Sequence, residues 1–547
     1  MRMKRFASKL FSKLTIGAII IILQFGWFVY LVYSAKRSSS AANMVFQVCA
    51  VALALYIANK DMRTSYRMSW IFLVLFLPIF GIPAYFIFGR SELTKHTRRK
   101  MEAVAENVMD YRVEDAGTIE ALQQNDFYAF QQSYYISSKA GYPIYREEDS
   151  TYYSCGEKLY PQLLADLRSA EHFIFLEYFI IEQGKMFDSI VDILEQKAKE
   201  GVEIRLIYDD VGCIQTLPPK FYKVLQAKGI HCATFNPFRP VLSIIMNNRD
   251  HRKITVIDGK IAYTGGFNLA DEYINEKVKF GYWKDAGIRL TGACVWNFTS
   301  MFLEIWDYIT KSEADYAFYR KASIPQLGEL TREQLLAKQS ITASDDAYAS
   351  AAASYSHELE PHVTGSGFVQ PYCDSPLDHE DVGENVYLNL IAHAKKYVYI
   401  FTPYLIIGSE MTTALINAAK CGVDVRIVVP GVPDKKLVYL LTQANFAHLI
   451  KGGVKIYKYA PGFIHSKCFV VDDVYAAVGT INLDYRSLYL HFECGTFMYR
   501  TKAVMQVKED ALATIDESLL VTLSECQSKK LIVRMFMGAL KLFAPLL

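Results

Sequence analysis

The chain has ten cysteines but no C-x-x-C pair and no regular cysteine spacing, so neither a disulfide framework nor a zinc-finger-type site is written into it. Thiols scattered in this way suit a reducing compartment. Net charge is nearly absent too. Lys plus Arg number 59 against 57 Asp plus Glu, which leaves +2 and no global basic field of the kind that advertises nucleic-acid binding. Uninterrupted polar composition is also missing: 52% of the 547 residues are hydrophobic, high for a purely soluble protein, and part of the chain is therefore expected in a membrane.

The excess apolar content lies at the N-terminus. Thr15 to Ala35 is an apolar run of spanning length, too long for a signal-peptide core and without a small-residue cleavage site, so a retained anchor is expected. Met44 to Ala58 is apolar but short. Ser69 to Phe88 is long but interrupted by Pro78, Gly81 and Pro83. Arg2, Lys4, Arg5, Lys9 and Lys13 precede the first run, and Arg90, Lys95, Arg98, Arg99 and Lys100 follow the last. Both clusters ask for the cytoplasm, which requires an even number of crossings. Two spans with a re-entrant or interfacial third run meet that demand; three full spans would place the rest of the chain outside. Residues 1–90 are read as this membrane region and 91–140 as a helical connector.

The strongest signal is a repeat. His251-Arg252-Lys253 is followed after four residues by Asp258, and His465-Ser466-Lys467 after four residues by Asp472. Spacing of two on a strand sends a histidine and a lysine from the same face toward one site. Each stretch is followed by a small-residue turn bearing an asparagine: Gly265-Gly266-Phe267-Asn268 and Gly479-Thr480-Ile481-Asn482. The surroundings repeat as well. Ala170 to Ile180 resembles Ala394 to Ile406, and Gly201 to Ile207 resembles Gly422 to Val428. Two domain-sized copies mark a duplication, not a solenoid. Strand candidates Phe173 to Ile180 and Val202 to Tyr208 alternate with a helical pattern over Asp188 to Lys199, which indicates α/β layering. The copies are placed at 141–321 and 368–528, with a linker or insertion at 322–367 rich in Ala, Ser, Thr, Gln and Glu. Residues 529–547 pair Lys529, Lys530, Arg534 and Lys541 with a broad apolar face. That segment can lie on an anionic membrane surface, close over the second copy, or do both.

The doubled H-x-K-x4-D with its trailing G-G/T-x-N resembles the phospholipase D superfamily. From Pro143 onward, the phrases His251 to Asn268, Ala270 to Tyr273, Thr402-Pro403-Tyr404 and Gly479 to Ser487 resemble its bacterial cardiolipin synthase branch. The resemblance implies two tandem α/β/α sandwich domains forming a pseudo-dimer behind N-terminal transmembrane helices. It implies a phosphatidyl transfer between two phosphatidylglycerol molecules at the cell membrane, with hydrolysis to phosphatidic acid or an inactive membrane scaffold of the same fold as the alternatives. Phosphatidylglycerol and anionic membrane lipids are the expected partners, and the two basic clusters place the catalytic domains in the cytoplasm. A neutral imidazole is a natural nucleophile near neutral pH, and a second histidine can serve as acid. The resemblance assigns these roles to His251 and His465. Lys253 and Lys467 would neutralise phosphoryl oxygens, and Asn268 and Asn482 would donate to them. It further implies that Asp285 and Glu493, downstream of the two motifs, orient the histidines, and that Asp258 and Asp472 hold the motif backbone. No carboxylate cluster beside the motifs has metal-ligand character, so neither metal nor cofactor is expected. Two departures stand out: Ala286-Gly287 where the branch shows Thr-His, and His491 where Asn is common. Either can alter how substrate is seated. Tyr178, Phe179 and Tyr404 could line an acyl groove, though core packing is the favoured reading.

Overall fold

The computed structural model describes residues 26, 30, 40–89, 95–238, 248–325, 367–378 and 380–546. The first expected span, Thr15 to Ala35, lies outside these apart from Gly26 and Tyr30, as does nearly all of the expected linker 322–367.

Two sheets dominate. In the first, seven strands run in the order Asp149–Tyr153, Gly287–Thr291, Ile261–Gly265, Lys253–Ile257, Phe173–Tyr178, Glu203–Asp209, His231–Phe235. The last three are parallel, and Lys253–Ile257 joins them antiparallel. Phe173–Tyr178 is buried at every position, which is why it reads as a continuous apolar run and not as an alternation. The second sheet repeats this core, with Cys468–Val471, Tyr397–Phe401, Asp424–Pro430 and Lys455–Tyr459 as successive neighbours. Helices such as Lys185–Lys199 and Ser409–Lys420 cover these strands in each copy.

Asp258 and Asp472 close the same turn in both copies. Each sits at positive φ, 53° and 55°, which an aspartate tolerates better than most residues. The Asp258 carboxylate accepts from the backbone N–H groups of Glu171, His172 and Phe173, all at 2.8 Å. Asp472 accepts from Lys395, Lys396 and Tyr397 at 2.6–2.8 Å. Each aspartate thus ties the end of its histidine-lysine strand to the start of the central strand. Replacing Asp258 by alanine removes three charge-assisted bonds at once, and the expected cost is about 2–3 kcal/mol of stability. A lowered urea midpoint, with Asp258→Asn intermediate, checks it.

The two copies also exchange strands. Arg249–Asp250 of the first pairs in parallel with the start of His491–Tyr499, and Gly462–Ile464 of the second pairs in parallel with Tyr282–Lys284. These are the same pairing seen from either side of a pseudo-twofold axis.

At the N-terminal end, Ser40–Asn59 forms one helix, while the proline-broken run folds as two, Thr64–Phe76 and Pro78–Phe88. Leu77 between them is non-helical, and Pro78 begins the second helix, where its missing N–H costs nothing. A Cβ at Gly81 would lie 2.5 Å from the Leu73 carbonyl oxygen, so glycine permits the close return. Among the described residues, no helix is long and apolar enough to cross a membrane. The hairpin is fastened to the second copy instead. Arg63 pairs with Asp381 and Glu384 and stacks 3.6 Å above the Tyr489 ring, Tyr485 donates to Ser65 Oγ at 3.0 Å, and Ser69 Oγ donates to the Leu542 carbonyl at 2.6 Å. The C-terminal helix Leu531–Phe543 therefore packs beside the N-terminal hairpin, leaving Leu531, Ile532, Met535 and Phe536 exposed.

Candidate active site

Strand exchange decides the geometry of the site. His251 N donates to the Phe492 carbonyl at 2.9 Å, and His465 N donates to the Lys284 carbonyl at 2.7 Å. Each histidine therefore follows a strand paired with the other copy's acidic segment. His251 Nδ1 lies 2.9 Å from both oxygens of Glu493, and His465 Nδ1 lies 2.7 Å from Asp285 Oδ2. The carboxylates expected to orient the histidines do lie against them, but crosswise between copies. A carboxylate accepts, so each Nδ1 carries the proton and each Nε2 is left with its lone pair.

The two carboxylates are seated differently. A Cβ at Gly266 would fall 1.9 Å from Asp285 Oδ1, so the first copy makes room for its aspartate with glycine. At the matching place in the second copy stands Thr480, whose hydroxyl donates to Glu493 Oε2 at 2.5 Å. Ser487 Oγ donates to Glu493 as well. Thr480 and Ser487 carried no role in the sequence reading. The signal for Thr480 was the threonine standing where the first copy's turn has Gly266; Ser487 had none.

The lysines lie behind their histidines. Lys253 Nζ donates to the His251 carbonyl at 2.5 Å, and Lys467 Nζ does the same to the His465 carbonyl. All four side chains are buried, and burial is the first cause of every shift among them. His251 is held well below the usual imidazole range, with Lys253 and Lys467 repelling its proton, and His465 is pushed down to about 4 by burial and Lys467. Lys253 falls to about 7 and Lys467 to about 8, burial outweighing the attraction of Glu493 and Asp285. The free site thus holds neutral imidazoles beside lysines poised to take or lose a proton.

The asparagines are less alike. Asn268 accepts from Ile180 N at 2.9 Å and donates to the Tyr273 hydroxyl at 2.7 Å, so its amide is engaged within the protein. Asn482 holds its loop through its backbone N–H, which donates to Ser487 Oγ at 2.8 Å, while its Oδ1 is buried without a partner. Phe179 packs edge-on against the His251 ring at 4.9 Å, whereas Tyr178 is bonded to Thr255 and Tyr404 to Asp434. Of the three aromatics, only Phe179 touches a motif histidine. Ala286 is buried beside Asp285, and His491 stands 5.6 Å, ring to ring, from His251.

Two duplicated α/β units meeting at one pair of carboxylate-backed histidines define a phospholipase D-like protein. A profile described as cardiolipin synthase, PLD-like domain, matches residues 163–279 and 387–513, and one described as phospholipase D-nuclease N-terminal matches 48–90. The chain is 40% identical to an uncharacterized protein of Streptococcus mutans, over 91% of its own length and all of the relative's. It is 30% identical to a cardiolipin synthase of Alkalihalophilus pseudofirmus, over 92% of this chain and 93% of that one. A crystal structure of phosphatidylserine synthase from Haemophilus influenzae shares the fold at a TM-score of 0.53 and 16% identity, covering 75% of this chain and 98% of that one. The chain belongs to the cardiolipin synthase family of phospholipase D-like phosphatidyltransferases.

Proposed function

We propose that the chain transfers a phosphatidyl group from one phosphatidylglycerol to another, giving cardiolipin and free glycerol, without a metal or cofactor. The observation that carries this reading is the crossed site: two neutral imidazoles, each fixed through Nδ1 by a carboxylate of the other copy. As the anionic substrate arrives, His465 takes up a proton on Nε2 from solvent; His251 Nε2 then attacks the phosphorus, the bond to glycerol breaks, and glycerol leaves with that proton. In the second step the hydroxyl of another phosphatidylglycerol attacks the phosphohistidine, His465 takes its proton, and the P–N bond breaks. Lys253 and Lys467 swing from the histidine carbonyls to the phosphoryl oxygens, and the arriving negative charge favours protonation of His465. Asp258 and Asp472 act only through the backbone they hold.

The same intermediate opened by water would yield phosphatidic acid, and lipid analysis distinguishes the two. In phosphatidylglycerol vesicles free of divalent cations, cardiolipin and glycerol are expected to appear together; phosphatidic acid alone would make the chain a phospholipase.

The free-enzyme profile follows from the lysines. Both must be cationic to receive the phosphate, and both lose that charge as pH rises through about 7 to 8. The kcat/KM for a short-chain phosphatidylglycerol is therefore expected to decline across this interval. A profile level to pH 9 would contradict it.

The membrane reading rests on the exposed apolar residues. Phe72, Leu75, Phe76, Phe86 and Ile87 of the hairpin join Leu531, Ile532, Met535 and Phe536 of the C-terminal helix, with Lys529, Lys530, Arg534 and Lys541 among them. In this reading the hairpin and the C-terminal helix lie side by side in the headgroup layer, with the catalytic units on the cytoplasmic side. Leu531→Asp combined with Ile532→Asp should leave the fold intact. It should weaken activity on anionic vesicles more than on mixed detergent micelles.

A further inference from the structure

His491 occupies a place the proposed reaction does not use. Both of its ring nitrogens are buried without a hydrogen-bond partner, although Nδ1 lies 3.8 Å from Glu493 Oε1. Glu493 in turn holds His251 Nδ1 at 2.9 Å. One ligand atom from each of the three residues can be chosen so that all lie within 4.8 Å of one another. Two imidazoles and a carboxylate are the donor set that suits a borderline cation such as Zn2+.

We propose that His251, His491 and Glu493 form an inhibitory site for a transition-metal ion, Zn2+ being the fitting case. Bonds of about 2 Å to three tetrahedral ligands need those atoms about 3.3 Å apart, so the rings must close by about an ångström or somewhat more. The ion takes the Nδ1 lone pair of His251, and the proton that stood on Nδ1 moves to Nε2. The atom proposed to attack phosphorus then carries a hydrogen and no free pair. No electrons are exchanged, and dissociation of the ion restores the original tautomer. Lys253, Lys467 and Arg486 oppose a cation here, so a weakly bound ion has no foothold. Mg2+ and Ca2+ prefer oxygen ligands and should leave the site alone. An asparagine at 491 would supply no imidazole nitrogen, so the site depends on this chain's histidine.

The inhibition rests on His251 being the nucleophile, whereas binding of the ion does not, and the test separates them. Full-length protein in mixed micelles is titrated with Co2+, whose tetrahedral visible bands report N/O ligation, and phosphatidyl transfer is measured against Zn2+ and against Mg2+. Wild-type protein is expected to show the bands and to lose activity to Zn2+ but not to Mg2+. His491→Asn should lose the bands and need at least about tenfold more Zn2+ for half inhibition, each variant being compared with its own uninhibited rate. His491→Cys, which returns a zinc ligand, should regain sensitivity. Equal bands and equal sensitivity in wild type and His491→Asn would overturn the site. Bands that require His491 without loss of transfer would keep the site and overturn the silencing of His251.

Discussion

Asparagine at either His251 or His465 is expected to reduce cardiolipin formation by about 10,000-fold or more, because two groups acting in one displacement fail together. The two variants should nevertheless differ in where they stop. Departure of glycerol needs a proton, but departure of a phenolate such as p-nitrophenolate does not. Given a phosphatidyl-p-nitrophenol donor, His465→Asn should release one equivalent of p-nitrophenol in a burst and retain the phosphatidyl group on the protein. His251→Asn should give no burst. The label retained by His465→Asn should map to the peptide containing His251. A burst from His251→Asn with label on His465 would exchange the two roles, which the pseudo-twofold symmetry of the site makes a real alternative.

Much of this site was legible because the duplication is local in sequence. The H-x-K spacing, the turn aspartates and the downstream carboxylates each occur within one copy, and period-two strands are enough to bring histidine and lysine to one face. A backbone role for Asp258 and Asp472 came from the resemblance, and each carboxylate accepts from three backbone N–H groups. What could not be read was the partner of each histidine. That depends on Arg249–Asp250 pairing with His491–Tyr499 and Gly462–Ile464 with Tyr282–Lys284, contacts between segments far apart in the chain that no period encodes. The engagement of Asn268 in the free protein could not be read either, since its amide meets Ile180 across the fold as well as the nearby Tyr273. In the N-terminal region the breaks at Pro78 and Gly81 marked the hairpin, but its fastening to Asp381, Glu384 and Tyr489 through Arg63 had no counterpart in composition.

The crossing of carboxylates makes a prediction that pairing within each copy would reverse. Glu493 belongs to the second copy but sits against the first copy's histidine, and it accepts from Thr480 and Ser487 as well. Glu493→Gln preserves shape but can present an N–H to Nδ1, which turns His251 toward the tautomer whose Nε2 is protonated. Loss of about 100- to 10,000-fold is expected in the first chemical step, the range seen when an orienting carboxylate behind a catalytic or metal-bound histidine is removed. With the p-nitrophenol donor this step is read directly as the burst rate, free of any need for His465. Glu493→Gln should therefore slow the burst by that factor. Asp285→Asn, whose residue lies in the first copy, should leave the burst close to wild type. It should reduce only turnover with phosphatidylglycerol, where His465 must give and take a proton. The opposite ranking would mean that each carboxylate serves the histidine of its own copy. Because Asp285 and Glu493 are equally buried, a general loss of folding in both variants would slow both assays alike, and the contrast between the two assays is what isolates the pairing.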